Sequence, residues 1–153
     1  MPVFAIACEQ PMTKLLAAFL ALSGLAGPAF AGPNEDAVRH LLHSTFDKPG
    51  AKLIVEPVAV DGDHAIAGWT HGDTGGRALL RRKGDHWQIV LCSGDQLRSV
   101  DTLAHAGLPM PAANALASQL AKAEASTDPK RLALFSRFDG IVMIGADGHH
   151  PPH

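Results

Sequence analysis

The chain has 153 residues, of which 46% are hydrophobic and 18% are charged, and its formal net charge at pH 7 is −2. This charge balance excludes the strongly basic surface that nucleic-acid binding requires. The length suits one domain with a modest hydrophobic core.

The first 31 residues are typical of a secretory signal peptide. Lys14 precedes a short apolar run at 15–22, and Ala29-Phe30-Ala31 is the small-x-small pattern that a signal peptidase cleaves, which predicts cleavage after Ala31. The run is too short to span a bilayer, so cleavage is favoured over an uncleaved anchor. Because the first eleven residues contain an acidic residue and no Lys or Arg, Met12 is the predicted true start. We therefore expect the mature chain to be exported and to have no stable membrane anchor after cleavage.

A first helix is predicted over Pro33 to Asp47. Asn34 can cap it, and the apolar side chains fall on one side at helical spacing. His40 and His43 fall on the other side, three residues apart, and are neighbours that could share a metal ion. The alternative for these two histidines is an ordinary solvated helix face.

Strand and turn patterns follow in the middle of the chain. The four predicted strands are Lys52–Val60, His64–His71, Arg77–Lys83 and His86–Cys92, and the predicted turns are 61–63, 72–76 and 84–85. Pro57 predicts an edge strand or a bulge. Tight turns between consecutive strands predict an antiparallel meander. Arg77, Arg81, Arg82 and Lys83 form a basic cluster, interpreted as exposed-strand charge or as a surface for an acidic partner.

The fourth predicted strand has a period of two. Alternation places Trp87, Ile89 and Leu91 on one face, which is predicted to meet the helices, and Cys92 on the opposite face. Once the leader is removed, Cys92 is the lone thiol and cannot form an internal disulfide. Four roles stay open for Cys92: a buried small hydrophobe, a reactive thiol, a metal ligand, or one half of a disulfide with another chain.

Three more helices are predicted in the part of the chain after Asp95. One is predicted from there to Gly107, a second over Pro111 to Ala125, and a third over Lys130 to Phe138 after the start signal Asp128-Pro129. A last short strand is predicted over 141–144. The predicted fold is therefore α+β: an antiparallel meander of about four strands packed against an N-terminal helix and three C-terminal helices, as one domain over 32–147.

The chain ends in a His- and Pro-rich tail, 148–153, for which metal binding competes with a plain solvated tail. Thiolate and thioether sulfur suit Cu(I), whereas imidazole suits Cu(II) and zinc. The candidate ligands are His149, His150, His153, Met143, His40, His43 and Cys92, with the tail as the main site. No recognisable catalytic motif accompanies Cys92, so an enzyme is not predicted.

The chain resembles the small bacterial family of copper uptake system-associated proteins. The resemblance is carried by 62–69 (Gly-Asp-His-Ala-Ile-Ala-Gly-Trp), 75–82 (Gly-Gly-Arg-Ala-Leu-Leu-Arg-Arg), Trp87 with 91–95 (Leu-Cys-Ser-Gly-Asp), 131–135 (Arg-Leu-Ala-Leu-Phe) and the His-rich end. It covers about Asn34 to His153 and implies a periplasmic accessory factor in copper acquisition, with other proteins of the uptake system as partners. It implies no catalytic mechanism and no ligand set. The main alternative is a metal-free module that docks a partner of that machinery, and a weaker one is a small enzyme that uses Cys92.

Overall fold

The computed structural model describes residues 32–145. The predicted signal peptide and the predicted ligands His149, His150 and His153 lie outside the described residues. The elements in chain order are α1 (Pro33–Phe46), β1 (Ile54–Asp61), β2 (His64–His71), β3 (Thr74–Lys83), β4 (His86–Ser93), a short 3-10 helix (Asp95–Arg98), α2 (Val100–His105), α3 (Met110–Ala125), α4 (Pro129–Phe135) and β5 (Ile141–Met143). The α+β prediction is confirmed.

The five strands form one antiparallel sheet in the order β1-β2-β3-β4-β5. Each of the first three hairpins turns on a Gly-Asp pair whose glycine has a positive φ: Gly62 at 55°, Gly72 at 58° and Gly84 at 61°. Glycine adopts this left-handed conformation without steric cost. The meander is therefore built from turns that the sequence specifies locally, with the predicted last strand as its fifth member.

The second turn is shorter than predicted, because Gly75 and Gly76 belong to β3. A Cβ on Gly75 would lie 3.0 Å from Leu134, and one on Gly76 would lie 2.9 Å from the Phe138 ring. These glycines let the segment around the end of α4 approach the strand closely, and they are not turn residues.

Two bulges interrupt the register of the sheet. The first lies in β1 between Val55 and Val58, beside Pro57, on an edge strand as the proline predicted. The second lies in β4, where Leu91 pairs with Leu79 but Ile89 pairs with Leu80, so that Val90 is an extra residue.

The bulge at Val90 overturns the predicted faces of β4. Trp87 and Ile89 share one core cluster with Cys92, whereas Leu91 belongs to the other cluster. The predictions that Leu91 shares a face with Trp87 and Ile89, and that Cys92 lies on the opposite face, are therefore both wrong, because strict alternation ends at the extra residue.

Helices cover both faces of the sheet. On one side, called the α1 face, Val38 and Leu42 of α1 pack against a cluster that includes Leu80 and Cys92. On the other side, called the α3 face, residues of the 3-10 helix, α2 and α3 cover the buried side chains of the sheet. The covering residues are Leu97, Leu103, Ala113, Leu116 and Leu120, together with Leu108 from the loop between α2 and α3, and they share a core cluster with Ile66, Leu79 and Leu91 of the sheet.

Helix boundaries differ from the predictions at several ends. Gly32, not Asn34, is the N-cap of α1, and the Asn34 side chain instead accepts a hydrogen bond from Arg82 at 3.5 Å. The helix predicted after Asp95 is divided, because Ser99 is extended and caps α2. At the last helix, Asp128 is the N-cap as predicted, with its carboxylate accepting from the Lys130 N–H at 2.7 Å.

The chain crosses from one face of the sheet to the other after α4. Phe135, at the end of α4, lies against Gly68 beside the buried Arg77 guanidinium. Phe138, three residues later, packs edge-to-face on Trp69 with 5.9 Å between ring centroids. This explains why α4 ends at Phe135 and not at Phe138 as predicted.

The four residues of the predicted basic cluster differ in how deeply the fold buries them. Arg77 is 1% exposed and pairs with Glu124 and Asp95, so its assignment to an exposed surface is wrong. Arg82 is half-buried over the Trp87 ring, at 5.9 Å from its centroid, and pairs with Asp63. Arg81 and Lys83 are exposed. A single basic docking patch is therefore not present on this hairpin.

Candidate functional site

A cavity of about 330 Å³ lies on the α1 face, between the end of α1 and the crossing segment that follows α4. Three aromatic side chains line it: Phe46 from α1, Trp69 from β2 and Phe138 from the crossing segment. Leu53 and Ile144 add aliphatic surface. The cavity therefore depends on residues far apart in sequence that the sheet brings together.

The remaining lining residues differ in character between wall and rim. Cys92 and Val142, paired across β4 and β5, complete the apolar wall. The lining residues with charged or polar side chains, Lys48, His71 and Thr74, are exposed to solvent. The Thr74 hydroxyl donates to the His71 carbonyl oxygen at 2.8 Å. The cavity thus has an apolar interior and a polar, partly cationic rim.

The loop after α1 that carries two lining residues is held by the Asp47 carboxylate. It accepts a hydrogen bond from the Leu53 backbone N–H at 2.8 Å, and the His43 Nδ1 lies 3.0 Å from its other oxygen. The Leu53 hydrogen bond lowers the pKa of Asp47, with the His43 contact adding to this effect. Lys48 and Ala51 exchange backbone hydrogen bonds of 3.0 and 2.9 Å, which close the loop. His43 therefore contacts a structural carboxylate.

Cys92 is a free, buried thiol in the cavity wall. Burial in apolar surroundings raises the pKa of its thiol to about 12. The thiolate is the form that binds metals and attacks substrates, and it is scarce at neutral pH when the pKa is so high. Of the four roles that the sequence left open, the geometry favours the buried small hydrophobe.

The other predicted metal ligands in the described part of the chain do not converge. His40 is exposed on α1, His43 contacts Asp47, and Met143 is 57% exposed on the edge strand β5. Within residues 32–145, no three or more His, Cys, Asp or Glu side chains are grouped so that they could hold a metal ion.

The cavity is the feature that sequence reasoning missed. Trp69, Phe138 and Val142 are visible as apolar residues, but their meeting depends on the crossing segment and on the edge pairing of β5. The inward orientation of Cys92 depends on the bulge at Val90. No local pattern in the sequence encodes either relationship.

Comparisons with protein-family models, curated proteins and solved structures returned no match to this chain. Across residues 32–145, no helix combines the length and the apolar character needed to cross a membrane. The α+β class is established from the structure, and the copper uptake family remains a prediction from the sequence.

Proposed function

We propose that the exported chain is a non-enzymatic accessory protein of a periplasmic copper uptake system, and that it binds copper through its C-terminal histidines. His149, His150 and His153 supply imidazoles on one short segment. The resemblance to copper uptake system-associated proteins supports the same assignment. Other proteins of that system are the proposed partners for copper transfer.

The exposed thioether of Met143 is the structural observation that carries this proposal. Met143 is 57% exposed on β5, and it lies only six positions before His149 in sequence. Thioether sulfur is a soft ligand that favours Cu(I). Because Met143 is exposed at a sheet edge, its side chain is accessible to a metal ion.

The remaining candidates are less suited to copper. The His43 imidazole contacts Asp47, and Cys92 is a neutral thiol at neutral pH. His40 is accessible on α1 but belongs to no group of three or more His, Cys, Asp or Glu side chains in the described part of the chain. The neutral state of Cys92 also supports the proposal that the protein is not an enzyme, since a buried neutral thiol is a poor nucleophile.

Copper titration of the exported protein tests this assignment. The comparison uses a chain that ends at Asp147, a Met143→Leu variant and, as a matched control, a variant of an exposed histidine on β4, His86→Gln. We expect the truncation to abolish tight binding of Cu(I) and Cu(II), Met143→Leu to weaken Cu(I) more than Cu(II), and the control to bind as the parent does. Equal affinity and stoichiometry in the truncated chain would exclude the tail as the site.

The pH dependence provides a second readout on the same samples. Affinity should fall as the pH drops through the histidine range near about 6.5, because a protonated imidazole cannot bind a metal ion. An affinity that does not change with pH would exclude histidine ligands.

A metal-free docking module is the second candidate function. It is favoured by exposed apolar side chains on the two edge strands, Ile54 of β1 and Ile141 of β5, which are 54% and 51% exposed. Unpaired edges with apolar side chains are suited to contact another protein. Failure of both the parent and the truncated chain to bind copper would favour this function.

A further inference from the structure

We propose that the cavity on the α1 face binds a small monocarboxylic acid with an apolar body of about ten carbons. The apolar body would fill the cavity, and the carboxylate would lie at the rim beside Lys48 and His71. This site is separate from the copper ligands proposed above, and its occupation does not depend on copper.

The interior favours an apolar occupant over water. Aromatic rings of Phe46, Trp69 and Phe138 form much of its surface, and the one titratable group in the wall, Cys92, is a neutral thiol. A water molecule in such a space finds few hydrogen-bond partners, so apolar cavities are readily occupied by apolar ligands. Replacement of water by an apolar body is therefore favourable.

The size of the cavity sets the size of the ligand. A volume of about 330 Å³ is at the lower end of the range typical of small-molecule sites. A methylene group occupies about as much space as a water molecule, roughly 30 Å³, so the cavity accommodates about ten carbons. A long-chain lipid would extend beyond it.

The charge of the rim sets the chemistry of the headgroup. Lys48 is exposed, and its ammonium group forms no ion pair with a carboxylate in residues 32–145. The neighbouring carboxylate, Asp47, is occupied by the Leu53 N–H and by His43. The Thr74 hydroxyl and the His71 imidazole add hydrogen-bonding groups at the rim. A carboxylate satisfies this arrangement, whereas an alcohol lacks the charge and an amine has the wrong sign.

Calorimetric titration of the exported protein in a chelator, with straight-chain acids of six to twelve carbons, tests the proposal. Each added methylene should raise the affinity about fourfold until the cavity is filled, and further carbons should add little. Trp69 lies in the wall, so its fluorescence should change with the same dissociation constant. Undetectable binding of every acid, or an affinity that does not depend on chain length, would overturn the proposal without any variant. The chelator separates this result from the copper proposal.

Variants locate the binding site. Lys48→Gln should weaken the ten-carbon acid about two- to fivefold and leave the ten-carbon alcohol unchanged, since an exposed ion pair contributes little and is screened by salt. Lys52→Gln, an exposed lysine outside the cavity, is the matched control. Val142→Phe, which fills the cavity, should reduce binding more than tenfold, with Val100→Phe on the α3 face as its control. Unchanged binding in a folded Val142→Phe protein would place the ligand elsewhere.

Discussion

Arg77 on β3 and Glu124 on α3 form a two-pronged ion pair in the interior of the protein. The Arg77 Nε lies 2.6 Å from one carboxylate oxygen and the Nη2 lies 3.1 Å from the other, and both residues are buried. Arg77 Nη1 also donates to Asp95 at 3.1 Å, and the guanidinium carbon lies 5.3 Å from the centre of the Phe135 ring. One side chain thus connects the sheet to α3, the 3-10 helix and α4.

Glu124→Ala should lower the free energy of unfolding by about 3 kcal/mol or more, because it leaves the buried guanidinium without its main counter-charge. The double variant Arg77→Met with Glu124→Leu should regain much of that loss, since neither charge then remains buried alone. Urea denaturation at pH 7 measures both changes. A loss below about 1 kcal/mol for Glu124→Ala would contradict a buried, compensated pair.

Gly68→Ala should destabilise the protein by about 1–3 kcal/mol through overpacking. A Cβ at this position would lie 2.6 Å from the Phe135 ring and 3.2 Å from the Glu56 carbonyl oxygen. In a Phe135→Leu background the same substitution should cost less, because the ring is gone and the two sites are coupled. Additive effects in this cycle, measured by thermal and urea unfolding, would show that the close approach is not maintained in solution.

Cys92 should react slowly with a thiol reagent in the native state and quickly after unfolding. Burial raises the pKa of its thiol from an ordinary value of 9.0 to about 12, so the native thiolate fraction near pH 8 is about a thousandfold smaller. Because this group is protonated more strongly in the folded state, its contribution to stability is complete below pH 9 and is lost as the pH rises towards 12.

A Cys8→Ser background leaves Cys92 as the one thiol of the chain, so the labelling rate reports on it alone. Rapid native labelling at pH 8 would favour the ligand or nucleophile role. In a Cys92→Ala variant, the fall in stability between pH 9 and pH 12 should become smaller, which identifies the titrating group.

Cleavage of the exported protein after Ala31 is predicted from the order of Lys14, the apolar run and the Ala29-Phe30-Ala31 pattern. N-terminal sequencing of protein recovered from the periplasm should begin at Gly32. Retention of residues 15–22 in that protein would exclude this cleavage and favour an anchored form.

Local chemistry made much of the fold predictable. The Gly-Asp pairs at 62–63 and 84–85 predict tight hairpins, and Pro57 predicts an irregular edge strand. The Asp128 cap before a proline places the start of α4. Each of these signals acts within a few residues, and the structure confirms each of them.

The features that sequence reasoning missed depend on contacts between distant segments. The extra residue Val90 in β4 changes which face Leu91 and Cys92 occupy, yet the strand sequence alternates as if it were regular. Arg77 stands among basic residues in sequence, and its burial is compensated by Glu124 on α3 and by Asp95, which are both distant from it along the chain. The cavity was missed for the same reason, because its walls come from segments that meet only in the folded chain.

The pairing of β5 with β4 closes the longest loop between neighbouring strands of the sheet. Strands β1 to β4 are neighbours both in sequence and in the sheet, so their pairings close short loops, whereas β5 reaches β4 only after the whole helical segment between Asp95 and Phe135. Closure of longer loops is entropically more costly, and such contacts tend to form later. Val142 and Ile144, which complete the cavity wall, belong to this last addition. During synthesis, the residues that complete the cavity wall are therefore added only after the four strands β1 to β4 and the helical segment.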